Sequence, residues 1–198
     1  MDIGVQTIFA SQGWEGMSDS QVYREDTQLA LLAEDLGFDV VWAVEHHFYD
    51  YSFCPDNTVW LASIAAQTKR IDVGTAAVIM PWNEPLRVAE KIALLDHIAG
   101  GRLRFGMGRG LSRREYSHFR AIAMDESRAR FDEGASMVLD ALRSGFIEGD
   151  GPYYPQPPAE LRPAPTRTFA GRTYAVASSD DSVEAAARLA AHMVMFSD

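Results

Sequence analysis

The sequence predicts an α/β fold of the (β/α)8 TIM-barrel type, incomplete, with about six strands. Short apolar runs alternate with helical patterns along the chain, which is typical of a parallel sheet covered by helices. A complete barrel usually needs about 250 residues, whereas this chain has 198. The first predicted strand is not followed by the G-x-G-x-x-G of an open dinucleotide-binding sheet. We therefore expect one barrel domain over residues 1–198, an N-terminal portion whose last βα units are absent.

The first half of the chain predicts three βα units. The apolar run Ile3–Phe9 predicts the first strand. Ser20–Leu36 carries apolar residues at helical spacing, and Gly37 ends that helix. The next predicted elements are a strand Asp39–Val44, a helix Asn57–Thr68 and a strand Asp72–Met80.

The second half continues the alternation. Pro85 suits the first turn of a helix that the pair Gly100-Gly101 ends. After it the pattern predicts a strand Arg102–Gly106, a helix Glu126–Leu142, a strand Thr173–Ala177, a helix Ser182–Ala191 and a strand Met193–Phe196. Two stretches, Gly108–Asp125 and Gly149–Gly171, read as irregular loops, and loops of such length usually serve a function such as covering a site.

Composition narrows the possible partners. The formal net charge of −10 argues against nucleic acid and against an anionic membrane surface, since both attract basic faces. No apolar segment approaches the roughly 20 residues of a membrane span. The single cysteine, Cys54, excludes an internal disulfide and fits a reducing, cytoplasmic location. The five histidines lack the H-x-x-x-H spacing of a helical metal site, so we expect no metal.

Three polar residues, Glu45, His46 and His47, follow the second predicted strand. In βα-repeat proteins the active site is built from the carboxyl ends of the strands and the loops after them. Because neighbouring strand residues point to opposite faces, at most one imidazole should face the barrel mouth. Each histidine serves either a ligand or a backbone carbonyl. Glu45 either orients an imidazole or bonds backbone amides in the next loop.

Two further segments are candidates for binding an anion. Arg109 ends the fourth strand within a glycine-rich run, where a guanidinium can clamp a phosphate, although tight turns explain the glycines equally well. Ser178 to Ser182 precedes a helix whose N-terminus could seat a phosphate. Plain capping by Ser179 or Asp180 is the favoured alternative there. Further arginines near Arg109 strengthen the case for an anion site: Arg102, Arg104, Arg113, Arg114 and Arg120.

Small residues end the third predicted strand, in the segment Gly74–Pro81. They would let a flat ligand approach the backbone closely. Tight core packing also explains these small residues and is the favoured alternative.

Taken together, these segments resemble the bacterial luciferase-like flavin monooxygenases over nearly the whole chain. Gly37 to Trp42 leading into Glu45–Phe48 resembles the second strand of that family. The segments that resemble its third and fourth βα units are Gly74–Ala77 with Met80-Pro81, Pro85–Glu90, Leu94–Asp96, Gly101–Gly106 and Arg109-Gly110. Ser127-Arg128 and Tyr153–Pro155 also fit.

The resemblance implies a TIM barrel that binds reduced FMN or, in some branches, the deazaflavin F420. His46 corresponds to the histidine that acts near the flavin while its peroxide forms and reacts. Ala76 and Ala77 correspond to a pair joined by a cis peptide beneath the flavin ring. We also expect Glu45 to be a cofactor-binding residue. The implied phosphate-binding residues are Arg109, Arg128, Ser178, Ser179 and Ser182.

The chain departs from the luciferase pattern in three respects. Gly108 stands where luciferase has a reactive cysteine beside the ring, so light emission is not implied and we expect a roomier pocket. Ser178 replaces an acidic residue of the luciferase catalytic subunit. Family members are usually much longer, and the final βα units that help close their pocket are expected to be missing here.

The expected function is that of a cytoplasmic FMN-dependent monooxygenase. Reduced FMN from a separate flavin reductase, together with O2, would oxidise a small apolar organic molecule such as an aldehyde, ketone or alkene. His46 would donate or accept a proton. One alternative is an F420-dependent oxidoreductase that transfers a hydride, although Glu45–Phe48 favours FMN. Another is a flavin-binding protein without turnover. A homodimer is expected from the resemblance alone.

Overall fold

The protein folds around one parallel sheet, seen in a computed structural model that describes residues 1–13, 16–119 and 122–195. The strands are β1 (Gly4–Thr7), β2 (Val40–Ala43), β3 (Asp72–Thr75), β4 (Val78–Ile79), β5 (Leu103–Gly108), β6 (Phe146–Gly149), β7 (Gln156–Glu160), β8 (Thr173–Val176) and β9 (His192–Val194). The helices are α1 (Asp19–Asp35), α2 (Asn57–Gln67), α3 (Pro85–Ile98), α4 (Arg113–His118), α5 (Ser127–Ser144) and α6 (Asp180–Arg188).

The strand order of the sheet is β1-β2-β3-β5-β8-β9, with β4 also paired to β5. All of these pairs are parallel. The strands of the main path follow one another in chain order, and every connection between them contains a helix. The predicted incomplete barrel of about six strands is therefore confirmed.

One face of this sheet is packed and carries the hydrophobic core. Alternate residues of the strands point into it and are buried, and they join one apolar cluster with the helices. Burial of this layer is the main favourable term in folding. The fully buried strand residues include Val41, Ala43, Val73, Leu103, Phe105, Met107 and Ala175.

The opposite face is concave because large side chains meet over a glycine. Trp42 of β2 stands beside Gly74 of β3 in the strand register, and a Cβ at position 74 would overlap the indole ring. The Trp42 ring also meets Tyr174 of β8 edge-on, with centroids 5.0 Å apart. Since β3 and β5 separate these strands, the sheet must curl to bring the rings together.

The third predicted strand, Asp72–Met80, is wrong as a single element. It breaks at Ala76–Ala77, whose peptide bond is cis, and it ends in a 3-10 turn at Met80–Trp82. Side chains replace the lost ladder. The Thr75 hydroxyl accepts from the Gly106 amide and donates to the Gly106 carbonyl, both at 2.8 Å.

The two stretches predicted as irregular loops contain regular structure, so those predictions are also wrong. Gly108–Asp125 includes α4, which is only six residues long. In Gly149–Gly171 the strand β7 pairs antiparallel with β6. Its sequence, Gln-Pro-Pro-Ala-Glu, gave no strand signal because proline is rare inside strands.

The hairpin formed by β6 and β7 is tied to α5 and to the 3-10 turn. The Tyr154 hydroxyl donates to the Pro81 carbonyl at 2.9 Å, and Glu133 accepts from the Tyr154 amide at 2.7 Å. The other predicted elements differ from the observed ones only at their ends. The last strand is His192–Val194 rather than Met193–Phe196, and Phe196 lies outside the described residues.

Two arginines that were grouped with Arg109 serve the amino end of the sheet instead. Arg102 donates to the Ala65 and Thr68 carbonyls at 3.0 and 3.1 Å. Arg104 pairs with Asp72 at 2.8 Å. Their contribution to an anion site is therefore a wrong prediction, and Arg120 lies outside the described residues. Within the described part of the chain, no helix has the length and apolar character to cross a membrane.

We predict that Thr75→Val destabilises the protein by about 2–4 kcal/mol, because it leaves the buried amide and carbonyl of Gly106 without partners. Thr7→Val is the matched control. It is also buried, but its hydroxyl makes a single bond, to the Trp42 carbonyl at 3.0 Å, and its loss should cost only about 1 kcal/mol. Urea unfolding measures both, and equal costs would contradict the double bridge.

Candidate active site

A cleft opens at the carboxyl ends of β2, β3, β5 and β8, with a volume of about 640 Å³ including space open to solvent. Parallel strands of a curled sheet converge at this end, so residues distant in sequence meet there. The catalytic and cofactor-binding residues predicted from the sequence all line it, while their functions stay predictions: Glu45, His46, Ala76, Ala77, Arg109, Arg128, Ser178, Ser179 and Ser182.

The two adjacent histidines are divided between the cleft and the protein interior. His46 lines the cleft, and its side chain is 35% exposed. The His47 side chain is only 10% exposed. Its ring packs edge-on against Phe119 and Trp82, with centroids 4.9 and 5.7 Å away. The expectation that at most one imidazole faces the barrel mouth is confirmed.

Glu45 uses its carboxylate to hold the neighbouring strand. It accepts from the Ile79 amide at 3.0 Å and from the Trp82 indole at 2.6 Å. The imidazole it approaches is that of His47, at 3.5 Å from Nε2. Both alternatives left open by the sequence are therefore observed, since Glu45 bonds a backbone amide and also contacts an imidazole, that of His47 rather than His46. The buried carboxylate thereby fixes β4 beside the cleft.

A second carboxylate, Glu115 of α4, was missed by the sequence analysis. It is 2% exposed. Its Oε1 lies 3.1 Å from His46 Nδ1 and accepts from the His47 amide at 2.9 Å. The available signal was Ser112, three residues upstream, because Ser-x-x-Glu is typical of a helix start. The Ser112 hydroxyl does accept from the Glu115 amide, at 3.2 Å.

The pKa of Glu115 lies below its ordinary value. Burial raises this pKa, but the hydrogen bond from His46 and the one from the His47 amide oppose burial and prevail. The carboxylate is therefore favoured as an anion in the folded protein. Its negative charge stands directly beside the imidazole that lines the cleft.

Arg109 and Arg128 bring positive charge to the other side of the cleft. Arg109 donates to the Ser127 hydroxyl at 3.3 Å. The pKa of Arg128 is lowered, first by burial and then by the charge of Arg109, and Asp132 opposes this from 3.9 Å. Two guanidiniums that repel each other on one side of a cleft are typical of an anion-binding site, because an anion bound to both relieves the repulsion.

The serine-rich turn before α6 is a helix cap. The Ser182 hydroxyl accepts from the amides of Ser178 and Ser179, both at 2.8 Å, and donates to the Ser179 carbonyl at 2.7 Å. Ser179 is the N-cap residue of α6, as the favoured alternative predicted, and Ser182 completes the cap from the first turn of the helix. The turn also lines the cleft, so the positive end of α6 lies at its wall. Asp180 and Asp181 are exposed and do not line it.

The wall between His46 and the arginines is built from small residues. Ala76 and Ala77 are joined by the cis peptide implied by the resemblance, and Asn57 Nδ2 donates to the Ala77 carbonyl at 3.2 Å. A Cβ at Gly108 would lie 3.1 Å from Ile79 Cδ1 and 3.3 Å from Ala77 Cβ. Glycine at this position therefore keeps the wall flat.

A second hollow adjoins the cleft at the tips of β1 and β2. It shares His46 and Ala76 with the cleft and is otherwise lined by Gln6, Ile8, Val44 and Tyr51. The Tyr51 ring stands edge-on to His46, with centroids 5.6 Å apart. The imidazole thus borders two spaces, one charged at its far side and one lined by both apolar and polar side chains.

The sequence model of the luciferase-like monooxygenase family matches residues 1–197, and the chain belongs to this family. It is 31% identical over 178 residues to the alkanal monooxygenase alpha chain of Photorhabdus luminescens. That match covers 90% of this chain and 49% of the relative, so the chain spans about half the length of that curated protein. The resemblance found in the sequence is therefore confirmed.

Solved structures agree with this assignment. Monooxygenase RslO1 from Streptomyces bottropensis superposes with a TM-score of 0.89 at 35% identity, over 98% of this chain and 59% of that one. The oxygenating constituent of 3,6-diketocamphane monooxygenase from Pseudomonas putida, solved in complex with FMN, superposes with a TM-score of 0.79. It is 19% identical, and the match covers 98% of this chain and 57% of that one, so this likeness concerns the fold alone.

We predict that Glu115→Gln lowers the free energy of unfolding by about 1–3 kcal/mol near neutral pH, because it weakens two buried charge-assisted hydrogen bonds. A folded-state pKa below the ordinary 4.5 stabilises the fold above that value, and the contribution is lost as pH falls through the folded pKa. The difference between wild type and variant should shrink accordingly. Urea unfolding from about pH 7 to about pH 3 measures it, and a constant difference would contradict the sign.

Proposed function

We propose that the cleft binds reduced FMN and that the protein acts as a monooxygenase on a small apolar organic molecule, such as an aldehyde, ketone or alkene. The proposal is carried by one observation. A guanidinium pair and the N-terminus of α6 lie at one side of the cleft, an imidazole lies at the other, and a flat wall of small residues joins them.

The residues of the cleft fit such a cofactor in charge and in shape. Arg109 and Arg128 supply forked donors for a phosphate, and their mutual repulsion favours a bound dianion. The hydroxyls of Ser178 and Ser179 lie beside them. Ala76, Ala77 and Gly108 offer the surface against which a planar ring would rest.

When bound, reduced FMN supplies the chemistry that activates O2, so that one oxygen atom enters the substrate and the other leaves as water. The residues of this chain would bind the cofactor, orient the reacting groups and limit the access of water. His46 donates or accepts a proton at Nε2, because its Nδ1 is hydrogen-bonded to Glu115. Ile79 and Val176 line the cleft with apolar surface, which limits access of water. The hollow beside His46, to which Ile8 and Val44 contribute apolar surface, would take the substrate.

An F420-dependent hydride transfer is the second candidate. The phosphate-binding groups and the flat wall suit a deazaflavin as well as a flavin, so these features favour neither. A flavin-binding protein without turnover is the third. A transient flavin reductase and a homodimer are further proposals that follow from the resemblance. A cytoplasmic location is a proposal that rests on the single cysteine.

Because the segment Glu45–Phe48 favours FMN, we predict that FMN binds more tightly than F420. We also predict that Arg109→Ala or Arg128→Ala weakens FMN binding by about 10-fold or more, since each removes a charged phosphate ligand. Arg130→Ala is the matched control, because Arg130 lies in α5 together with Arg128 and pairs with Glu126 at 2.9 Å. Titration of the protein with each cofactor measures the affinities. Tighter binding of F420 would favour hydride transfer, and equal losses in all three variants would argue against the arginine site.

We predict that His46→Ala leaves FMN affinity unchanged and lowers product formation coupled to O2 consumption by about 10²–10⁴-fold, the range that proton transfer by a positioned side chain contributes. The control is His118→Ala, an exposed histidine whose Nδ1 lies 2.9 Å from the Arg114 carbonyl. Assays supply a flavin reductase and NADH, and product is measured directly. An unchanged product yield in the His46 variant would reject this function of the residue.

A further inference from the structure

Glu115 connects α4 to the end of β2 through a single oxygen atom. Oε1 contacts both His46 Nδ1 and the His47 amide, residues separated from it by 69 and 68 positions in the sequence. An oxygen that accepts from the amide cannot follow the imidazole if the ring rotates. The bifurcated contact therefore defines the plane and the direction of the His46 ring.

The position of Glu115 is itself fixed from both ends of α4. Ser112 caps the helix by accepting from the Glu115 amide. The Tyr116 hydroxyl donates to the Arg109 carbonyl, and burial raises the pKa of Tyr116 to about 12, so it stays a donor. Phe119 stacks on Trp82 with centroids 4.7 Å apart. The carboxylate consequently sits on a short helix with little freedom to move.

The carboxylate nearest in sequence cannot take over this task. Glu45 is occupied by the Ile79 amide and the Trp82 indole, and the imidazole it approaches is that of His47. Tyr51 meets His46 only edge-on. Among the described residues, the hydrogen-bond partner of the His46 ring is Oε1 of Glu115.

We propose that Glu115 is the positioning residue for His46: it holds Nδ1 protonated and directs Nε2 toward the cleft. The proposal rests on the proposed function, in which His46 handles a proton. A neutral imidazole carries one N–H, and the group that accepts it decides which nitrogen keeps a lone pair. An anionic acceptor at Nδ1 leaves the lone pair at Nε2, on the other side of a ring that lines the cleft.

This arrangement also links two parts of the site. Arg109, Leu111 and Glu115 belong to one short segment, and the first two line the cleft. The segment that offers a guanidinium to the phosphate thus also orients the imidazole opposite. A change in the path of this segment would alter both functions together.

Nitrogen NMR of the 15N-labelled chain tests the proposal without any cofactor. Neutral His46 should be protonated at Nδ1 in the wild type, and the loss of its signals in His46→Gln identifies them. In Glu115→Ala the acceptor is gone, so the proton should move to Nε2, the preference of an unconstrained histidine side chain. Glu115→Gln keeps a side-chain oxygen and should retain the Nδ1 proton. Glu115→Met fills the same buried space without an oxygen and replaces the alanine variant if that one fails to fold.

Glu133→Ala is the matched control. Glu133 also accepts from backbone amides, those of Tyr153 at 3.2 Å and Tyr154 at 2.7 Å, but it belongs to α5 and does not line the cleft. It should lower thermal stability and leave the His46 tautomer as in the wild type. A purely structural contribution of Glu115 would give the same result as this control.

A second measurement uses the protein loaded with reduced FMN. Glu115→Ala should lower coupled product formation by about 10²-fold while FMN affinity is unchanged, and Glu115→Gln should recover part of the loss.

A His46 proton that stays on Nδ1 in both Glu115→Ala and Glu115→Met overturns the proposal, as does an equal shift in Glu133→Ala. A wild type that binds FMN but forms no product overturns the proposed function alone, since the NMR result still decides what orients His46.

Discussion

The curl of the parallel sheet is the constraint on which the site depends. It is enforced where Trp42 covers Gly74, because no other residue leaves room for the indole against the strand. With this contact in place, Trp42 meets Tyr174 although two strands lie between them, and the strand tips converge. Residues as distant in sequence as His46 and Ser179 then line a single cleft.

Polar side chains reinforce the sheet where it borders this cleft, in addition to the backbone pairing of Ile79 with Gly108. Thr75 bridges to Gly106 from the last residue of β3, and Asn57 joins the Ala43 and Ala77 carbonyls. Glu45 secures β4 through the Ile79 amide. Polar side chains keep the strand ends fixed while leaving a wall that a ligand could reach.

Much of the architecture was predictable because local pattern and global fold agree. Apolar runs such as Val40–Ala43 became parallel strands, and Pro85 became the first residue of a helix. The predictions failed where local preference is weak. The prolines of β7 concealed a strand that exists only because β6 pairs with it, and α4 is too short to show helical periodicity. Arg102 was expected near an anion, yet chain direction places it at the opposite end of the sheet.

The sequence by itself determined the alternation of elements, the family and which residues stand at strand ends, because side-chain periodicity and residue type are local properties. Only the tertiary structure decided the pairing of carboxylates with imidazoles. Glu45 is adjacent to His46 in the chain, but Glu115 is its partner. Which oxygen reaches which ring depends on how α4 packs over β2, and that packing joins parts of the chain nearly 70 residues apart.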